Sequence, residues 1–353
     1  MNLAEDEIRL TQFARGAGCG CKISSSTLDE ILSGNQSSFS PNLLVGNHSK
    51  DDAAVFQYNE NEAFISTTDF FTPIVDDAFL FGKVAAANAI SDIYAMGGNP
   101  TMALAILGWP VEKLPVSLAN TVMRGAQEIC QIAGIPLAGG HSIDAAEPFF
   151  GLSVQGHIFI SRLKRNDTIA ADEFIFLTKP IGTGILATAE KKGLLRQEDV
   201  SFFHQTISTL NQIGSELSAF ESVGAMTDIT GFGLAGHLLE MIGEKELSAE
   251  LNASQIPLFP NLEYYMNQFI VPDATYRNWK AYHNQIEINT LVNSTHMFHI
   301  LPDPQTNGGI LFTVKAEGLE EIQEFLQKKQ LMEYVNPIGK IVAAKDKKIV
   351  INP

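Results

Sequence analysis

The chain has 353 residues, 45 % of them apolar, with a formal charge of −16, which is enough length for two cores at about 150 residues per domain. The acidic balance excludes nucleic acid as a partner, because phosphate binding needs Lys and Arg, and it argues against a membrane surface. No run of about 18 apolar residues is present and Met1 to Arg9 is acidic, so no membrane span or signal peptide is expected and the reading is cytoplasmic.

The first motif along the chain is Gly16-Ala-Gly-Cys19-Gly-Cys21-Lys22. Glycine permits tight backbone and positive φ, while the lysine brings charge to a thiol or a phosphate. Three cysteines cannot form a fully paired framework, so this pair reads as reactive or metal-binding. No second CxC or CxxC follows to complete a structural zinc site. Thr27-Leu-Asp-Glu30 has capping-box spacing and predicts a short helix ending before Gly34. The polar stretch from Gly34 to Pro41 then makes the segment 1–44 a mobile N-terminal arm.

Strands are predicted at 53–58, 63–67 and 101–107, helices at 83–96 and 115–133, and a further strand at 149–161. The charged run Arg162 to Asp167 marks a boundary between domains at 45–162 and 168–353. The second half restarts with a strand at 174–178, a Gly182-Thr-Gly184 turn and a helix at 185–192. Mixed strands and helices with hairpin-length gaps predict an α+β class. Two Thr-Asp turns, one per half, hint that the halves are related.

In the helix after Phe81, Asn88, Ser91 and Asp92 stand at i, i+3 and i+4 on an otherwise Ala and Ile surface. Such a stripe either faces solvent or is held indoors for a partner; without Lys or Glu it reads as the latter, with Asp92 waiting for a cation. Asp51-Asp52 precedes one strand and Thr67-Thr68-Asp69 ends the next. Each alone also fits a solvated turn. Three carboxylate sites within about 40 residues call for a hard cation such as Mg²⁺, which takes oxygen ligands and phosphate together. Met226-Thr-Asp228-Ile-Thr-Gly-Phe-Gly233 enters a helix and suits an anion or, through Asp228, a metal, although a plain helix start fits it too. Ala138-Gly-Gly140-His141-Ser142 reads as a close-approach loop, Cys130 as core and His237 as a packing histidine. The chain has neither a P-loop nor a Rossmann fingerprint.

Taken together, Gly16 to Ile23, Asn42 to Val55, Ser66 to Phe71, Asn88 to Gly98, Leu137 to Asp144, Met226 to Gly236 and Asp303-Pro-Gln-Thr-Asn307-Gly-Gly309 resemble the selenophosphate synthetase family, the selenide, water dikinases. That resemblance implies a two-domain fold like aminoimidazole ribonucleotide synthetase, with N-terminal domains forming a β-barrel across a homodimer. It implies ATP and selenide as substrates, selenophosphate, AMP and phosphate as products, Mg²⁺, and K⁺ as activator. By position it assigns Cys19 and Lys22 to catalysis, with Lys22 also touching ATP. It gives Ser49, Lys50, Asp51, Asp69, Asp92, Gly140, His141 and Ser142 to ATP, and Asp52, Asp69, Asp92 and Asp228 to the metal. An upstream selenium-delivery protein is a further expected partner. Arg15 and Asn307 depart from residues common in the family, His and Ser respectively. A same-fold kinase acting on thiamine monophosphate, a purine-pathway synthetase and a non-enzymatic thiol carrier are the competing classes.

Overall fold

The computed structural model describes residues 8–14, 16–21, 25–32, 40–46 and 51–353. One six-stranded sheet comprises β1 (Leu43–Val45), β2 (Ala54–Gln57), β3 (Glu62–Phe71), β4 (Asn99–Trp109), β5 (Leu137–Asp144) and β6 (Phe149–Phe159). Their order is β1-β2-β3-β6-β4-β5, antiparallel except for the parallel β4–β5 pair at one edge. The second sheet has seven strands: β7 (Phe174–Leu177), β8 (Val223–Asp228), β9 (Leu247–Asn252), β10 (Ile286–Ile288), β11 (Ile310–Val314), β12 (Gly339–Ala343) and β13 (Ile349–Asn352). They run β10-β13-β9-β12-β7-β11-β8. The α+β class read from the spacing of elements is what the structure contains.

The helices are α1 (Ser25–Leu32), α2 (Ala78–Ala95), α3 (Val116–Ile132), α4 (Thr183–Lys191), α5 (Gln197–Ser208), α6 (Ile213–Leu217), α7 (Gly233–Ile242), α8 (Leu262–Met266), α9 (Asp273–Tyr282), α10 (Ser294–Ile300) and α11 (Leu319–Lys328). Of these, α2 organises the molecule. It begins five residues before the predicted start because the Asp77 side chain caps it, accepting from Leu80 N–H at 2.6 Å, and a cap satisfies one of the orphan first-turn donors. It then packs on β3 and β6 on one side and on β8, α5 and α6 on the other, so it is apolar nearly all round. Against α3 the approach is backbone to backbone. A Cβ on Gly82 would stand 1.9 Å from Val122 O, and one on Gly125 would stand 2.0 Å from Phe79 O.

On β3 the alternation of faces is clean: Ala63, Ile65, Thr67 and Phe71 are buried toward α2, while Phe64, Ser66, Thr68 and Phe70 are exposed. Phe56, Phe70, Met102 and Phe159 also stand on that outer face, between 36 % and 49 % exposed, and leave an open apolar sheet surface. Two expectations are corrected. The strand predicted to end at Thr67-Thr68-Asp69 runs on to Phe71, so Asp69 lies inside it, paired with Leu152 and facing α2. Gly139 to Ser142 is not a loop but the middle of edge strand β5, where φ of +135° and +152° at Gly139 and Gly140 lets the backbone bulge past Ala105. Cys130 is core as expected, with burial pushing its thiol up to about 11.

Candidate active site

Two of the three polar residues of the α2 stripe each hold an aspartate from another element, and the third is itself a carboxylate. Asn88 Nδ2 donates to Asp69 Oδ2 at 2.5 Å from β3, and Ser91 Oγ donates to Asp228 Oδ2 at 2.5 Å at the end of β8. Asp92 itself accepts from the Thr67 hydroxyl at 2.5 Å. Asp52, just before β2, accepts from the Thr227 hydroxyl at 2.8 Å. Carboxylates from the first sheet, the second sheet and the helix between them therefore converge on one place. The spacing of Asn88, Ser91 and Asp92 made this stripe legible from sequence.

Behind the stripe lies a second polar layer from the other half of the chain. Asn211 Nδ2 donates to Ser91 Oγ at 2.8 Å and to Gly308 O at 2.8 Å. Asn307 N–H donates to Asn88 Oδ1 at 2.7 Å, and Asn307 Nδ2 reaches Ile207 O and Thr209 O, both at 2.8 Å. Asn307 takes φ of +50°, a left-handed conformation that Asn tolerates better than most residues. Lys179 Nζ, 7 % exposed as a residue, donates to Thr209 O and Asn307 O. Burial pushes this ammonium down to about 7, against the pull of the nearby Asp228 charge. Asn211 and Lys179 carry no local signal in the sequence, since each acts through a partner far along the chain, whereas Thr227 lies inside the Thr-Asp motif.

The electrostatics are those of a site built for added positive charge. Burial first, then the charges of Asp228, Asp51 and Asp92, hold the Asp52 carboxyl well above the usual range. Its Oδ2 is buried without a hydrogen-bond partner. Burial also pushes Asp51 up to about 7, with the Asn166 N–H at 3.1 Å and Arg165 opposing it and Asp167 adding to it. Among the described residues no three His, Cys, Asp or Glu side chains already stand close enough to ligate one ion on their own. Mg²⁺ does not require that, because it keeps several waters and takes one or two carboxylates beside phosphate oxygens. The orphaned Asp52 Oδ2 is the atom such an ion would satisfy, so the donor set fits.

Among the described residues, the Gly140 to Ser142 stretch stands apart from the carboxylates. Gly140 lies in the same cross-strand row as Asp69, through Leu152 and Ala105, which is three strand spacings or about 14 Å away. Gly140, His141 and Ser142 instead border a separate 450 Å³ cavity with Asn120, Arg124 and Gln127 of α3. Lys22, Ser49, Lys50 and Arg15 lie outside the described residues, and for Cys19 the description covers the backbone alone. The Thr230-to-Gly233 turn offers less to an anion than its glycines promised. Thr230 N–H donates to His237 Nε2 at 3.1 Å and Ala235 N–H to Leu301 O at 2.9 Å. His237 pins that turn, in keeping with its reading as a packing residue.

Two mixed domains joined through a helix that carries the carboxylate supports define the AIR synthase-related class. The profile for AIR synthase related protein, N-terminal domain, matches residues 50–158, and that for the C-terminal domain matches residues 170–352. A thiamine-monophosphate kinase from Stenotrophomonas maltophilia shares the fold, with a TM-score of 0.64 at 18 % identity over 88 % of this chain and 92 % of that one. Proteins named selenide, water dikinase are far more similar. The one from Shewanella sp. (strain ANA-3) is 51 % identical over 92 % of each chain, and that from Pseudomonas putida 50 % over 96 % of each. The chain belongs to the selenide, water dikinase family, a group of ATP-dependent kinases.

Proposed function

We infer that the chain converts ATP, selenide and water to selenophosphate, AMP and orthophosphate, as a cytoplasmic homodimer. The observation that carries this reading is the convergence of Asp92 on α2 with Asp69 of β3, Asp228 of β8 and Asp52 before β2, with the Gly-Cys-Gly-Cys turn in the same chain. Those four carboxylates would hold Mg²⁺, and Asp51 with Asp69 and Asp92 would face the nucleotide. When bound, Mg²⁺ neutralises phosphate charge during transfer. K⁺ is proposed as an activator without an assigned site.

The remaining chemistry falls to the chain's own groups. Hydrogen selenide is already ionised and strongly nucleophilic at neutral pH, so no base is needed to activate it. Cys19 is assigned to holding or delivering selenium, and Lys22 to charge developing on the γ-phosphoryl oxygens. The Gly16 to Lys22 loop would close over ATP to exclude water at the first transfer, and water would take the second phosphoryl group. Ser49 and Lys50 complete the nucleotide contacts, and the domain division at 45–162 and 168–353 stands as part of the same reading.

The open outer face of the first sheet, with Phe56, Phe64 and Phe70 exposed, supports the homodimer, because a second copy would cover it and close the barrel. Through that pairing Gly140, His141 and Ser142 would reach a nucleotide. An upstream selenium-delivery protein remains the proposed donor. Phosphorus NMR of ATP with and without selenide tests the reading. Selenophosphate together with AMP is expected; ADP formed regardless of selenide would instead mark a kinase of another substrate, and no turnover a carrier.

A further inference from the structure

The Gly-Cys-Gly-Cys turn is tied to the rest of the molecule at three levels. At its base, Arg9 donates through Nε to Asp76 Oδ2 at 2.6 Å and through Nη2 to the last carbonyls of α4, Glu190 O at 2.9 Å and Lys191 O at 3.0 Å. Lys191 Nζ reaches back to Ala14 O at 2.8 Å and Gly16 O at 3.0 Å. Cationic groups on the carbonyls that end a helix are favourable both as hydrogen bonds and against its dipole. In the middle, Gly18 N–H donates to Thr72 O at 3.1 Å. At the tip, Arg277 Nη2 donates to Gly20 O at 2.8 Å, the carbonyl between the two cysteines.

The helix that presents Arg277 is itself fixed to the carboxylate site. The next residue, Asn278, points inward and is 9 % exposed. Its Nδ2 donates to Gly231 O at 2.9 Å, three residues beyond Asp228, and to Pro302 O at 3.0 Å. Pro302 leads into the 303–306 turn, against which the loop packs: a Cβ on Gly20 would lie 3.7 Å from both Pro304 and Ala274. Thus α9 grips the metal-side loop with one residue and the cysteine turn with its neighbour. An exposed guanidinium suits the second task, since it loses little hydration and presents its donors in a rigid fork.

We infer that Arg277 is a positioning residue for Cys19: by holding the Gly20 carbonyl it docks the cysteine turn at the seam where α9, the 303–306 turn and Thr72 meet. The inference rests on the selenium-handling role proposed for Cys19. Its docking component has a readout independent of turnover. Arg277 touches neither nucleotide nor metal in this account, so its loss changes how often the turn is docked rather than how ATP is bound.

The test compares the full-length protein with Arg277→Ala and Arg277→Lys by hydrogen–deuterium exchange and by steady-state kinetics. In Arg277→Ala, exchange at Gly18 to Cys21 is expected to rise about tenfold and selenide-dependent kcat to fall about tenfold, the size of one hydrogen bond from a charged donor. The KM for ATP stays within about twofold and exchange in α9 and β11 is unchanged, while Arg277→Lys recovers part of both losses. Unchanged loop exchange in Arg277→Ala would overturn the inference, as would a raised ATP KM with kcat preserved. If the wild-type protein made no selenophosphate, the proposed function would fall while the exchange result still reported on docking.

Discussion

Ser91→Ala removes a hydroxyl that supports a carboxylate without touching any ligand. Ser91, Asp228 and Asn211 are at most 1 % exposed, and Ser91 Oγ donates to Asp228 at 2.5 Å while accepting from Asn211 at 2.8 Å. A hydrogen bond to a buried charged group is worth about 1.5–3 kcal/mol and a neutral one about 1. Asn211 keeps its bond to Gly308 O, so the expected loss of stability is about 3 kcal/mol. Because the hydroxyl also aims Asp228, the Mg²⁺ concentration for half-maximal turnover should rise about tenfold, as when a partner that orients a metal ligand is lost. Urea unfolding reads the first quantity and Mg²⁺ titration of ATP turnover the second. Thr121→Ala on α3, whose hydroxyl bonds only its own helix at Ser117 O and lies exposed, serves as control and should change stability by less than about 0.5 kcal/mol. A Ser91→Ala protein with a wild-type Mg²⁺ midpoint would refute the claim that α2 organises the carboxylates.

Asp303 is fully buried, accepting from Gln305 Nε2 at 2.7 Å and Gly184 N–H at 3.1 Å, and burial pushes its carboxyl up to about 8 against those hydrogen bonds. The folded state therefore holds one proton more than the unfolded chain between pH 3.8 and about 8. Stability falls across that window as pH rises, by at most about 1.4 kcal/mol per unit, and Asp303→Asn should flatten the slope in urea midpoints measured from pH 5 to 8; an unaltered slope would count against it. Gly18 has φ of +52°, and a Cβ there would stand 2.4 Å from Thr306 Oγ1 and 2.8 Å from Ile74 Cδ1. Gly18→Ala should therefore undock the cysteine turn, seen as faster exchange at 18–21, with stability reduced by about 1 kcal/mol; wild-type exchange would show that the turn tolerates the side chain.

The sequence made the α2 stripe readable because three polar residues at helical spacing interrupt an Ala and Ile surface, a pattern that depends on nothing distant. Asp69 was placed at a strand end because Asp is a poor strand former, yet Asn88 partners it across the layer and the strand continues to Phe71. Gly139 to Ser142 reads as a loop because glycine is depleted in strands, and pairing with β4 overrides that local preference. The start of α2 was missed because Phe79, Leu80 and Phe81 have no helical periodicity, and the decisive signal was the Asp77 cap. Asn211, Lys179 and Arg277 carry no local signature at all. Their partners lie 120, 128 and 257 residues away, and only the packed chain brings them together.

The central claim is that carboxylates from both sheets hold divalent metal together with ATP. Mn²⁺ replaces Mg²⁺ in oxygen-rich sites, so electron paramagnetic resonance of Mn²⁺ titrated into the protein with ATP measures it directly. The account predicts that Asp52→Asn, before β2, and Asp228→Asn, at the end of β8, each abolish protein-bound Mn²⁺ in the presence of ATP while the circular dichroism spectrum stays wild type. Undiminished Mn²⁺ binding in either variant would contradict it.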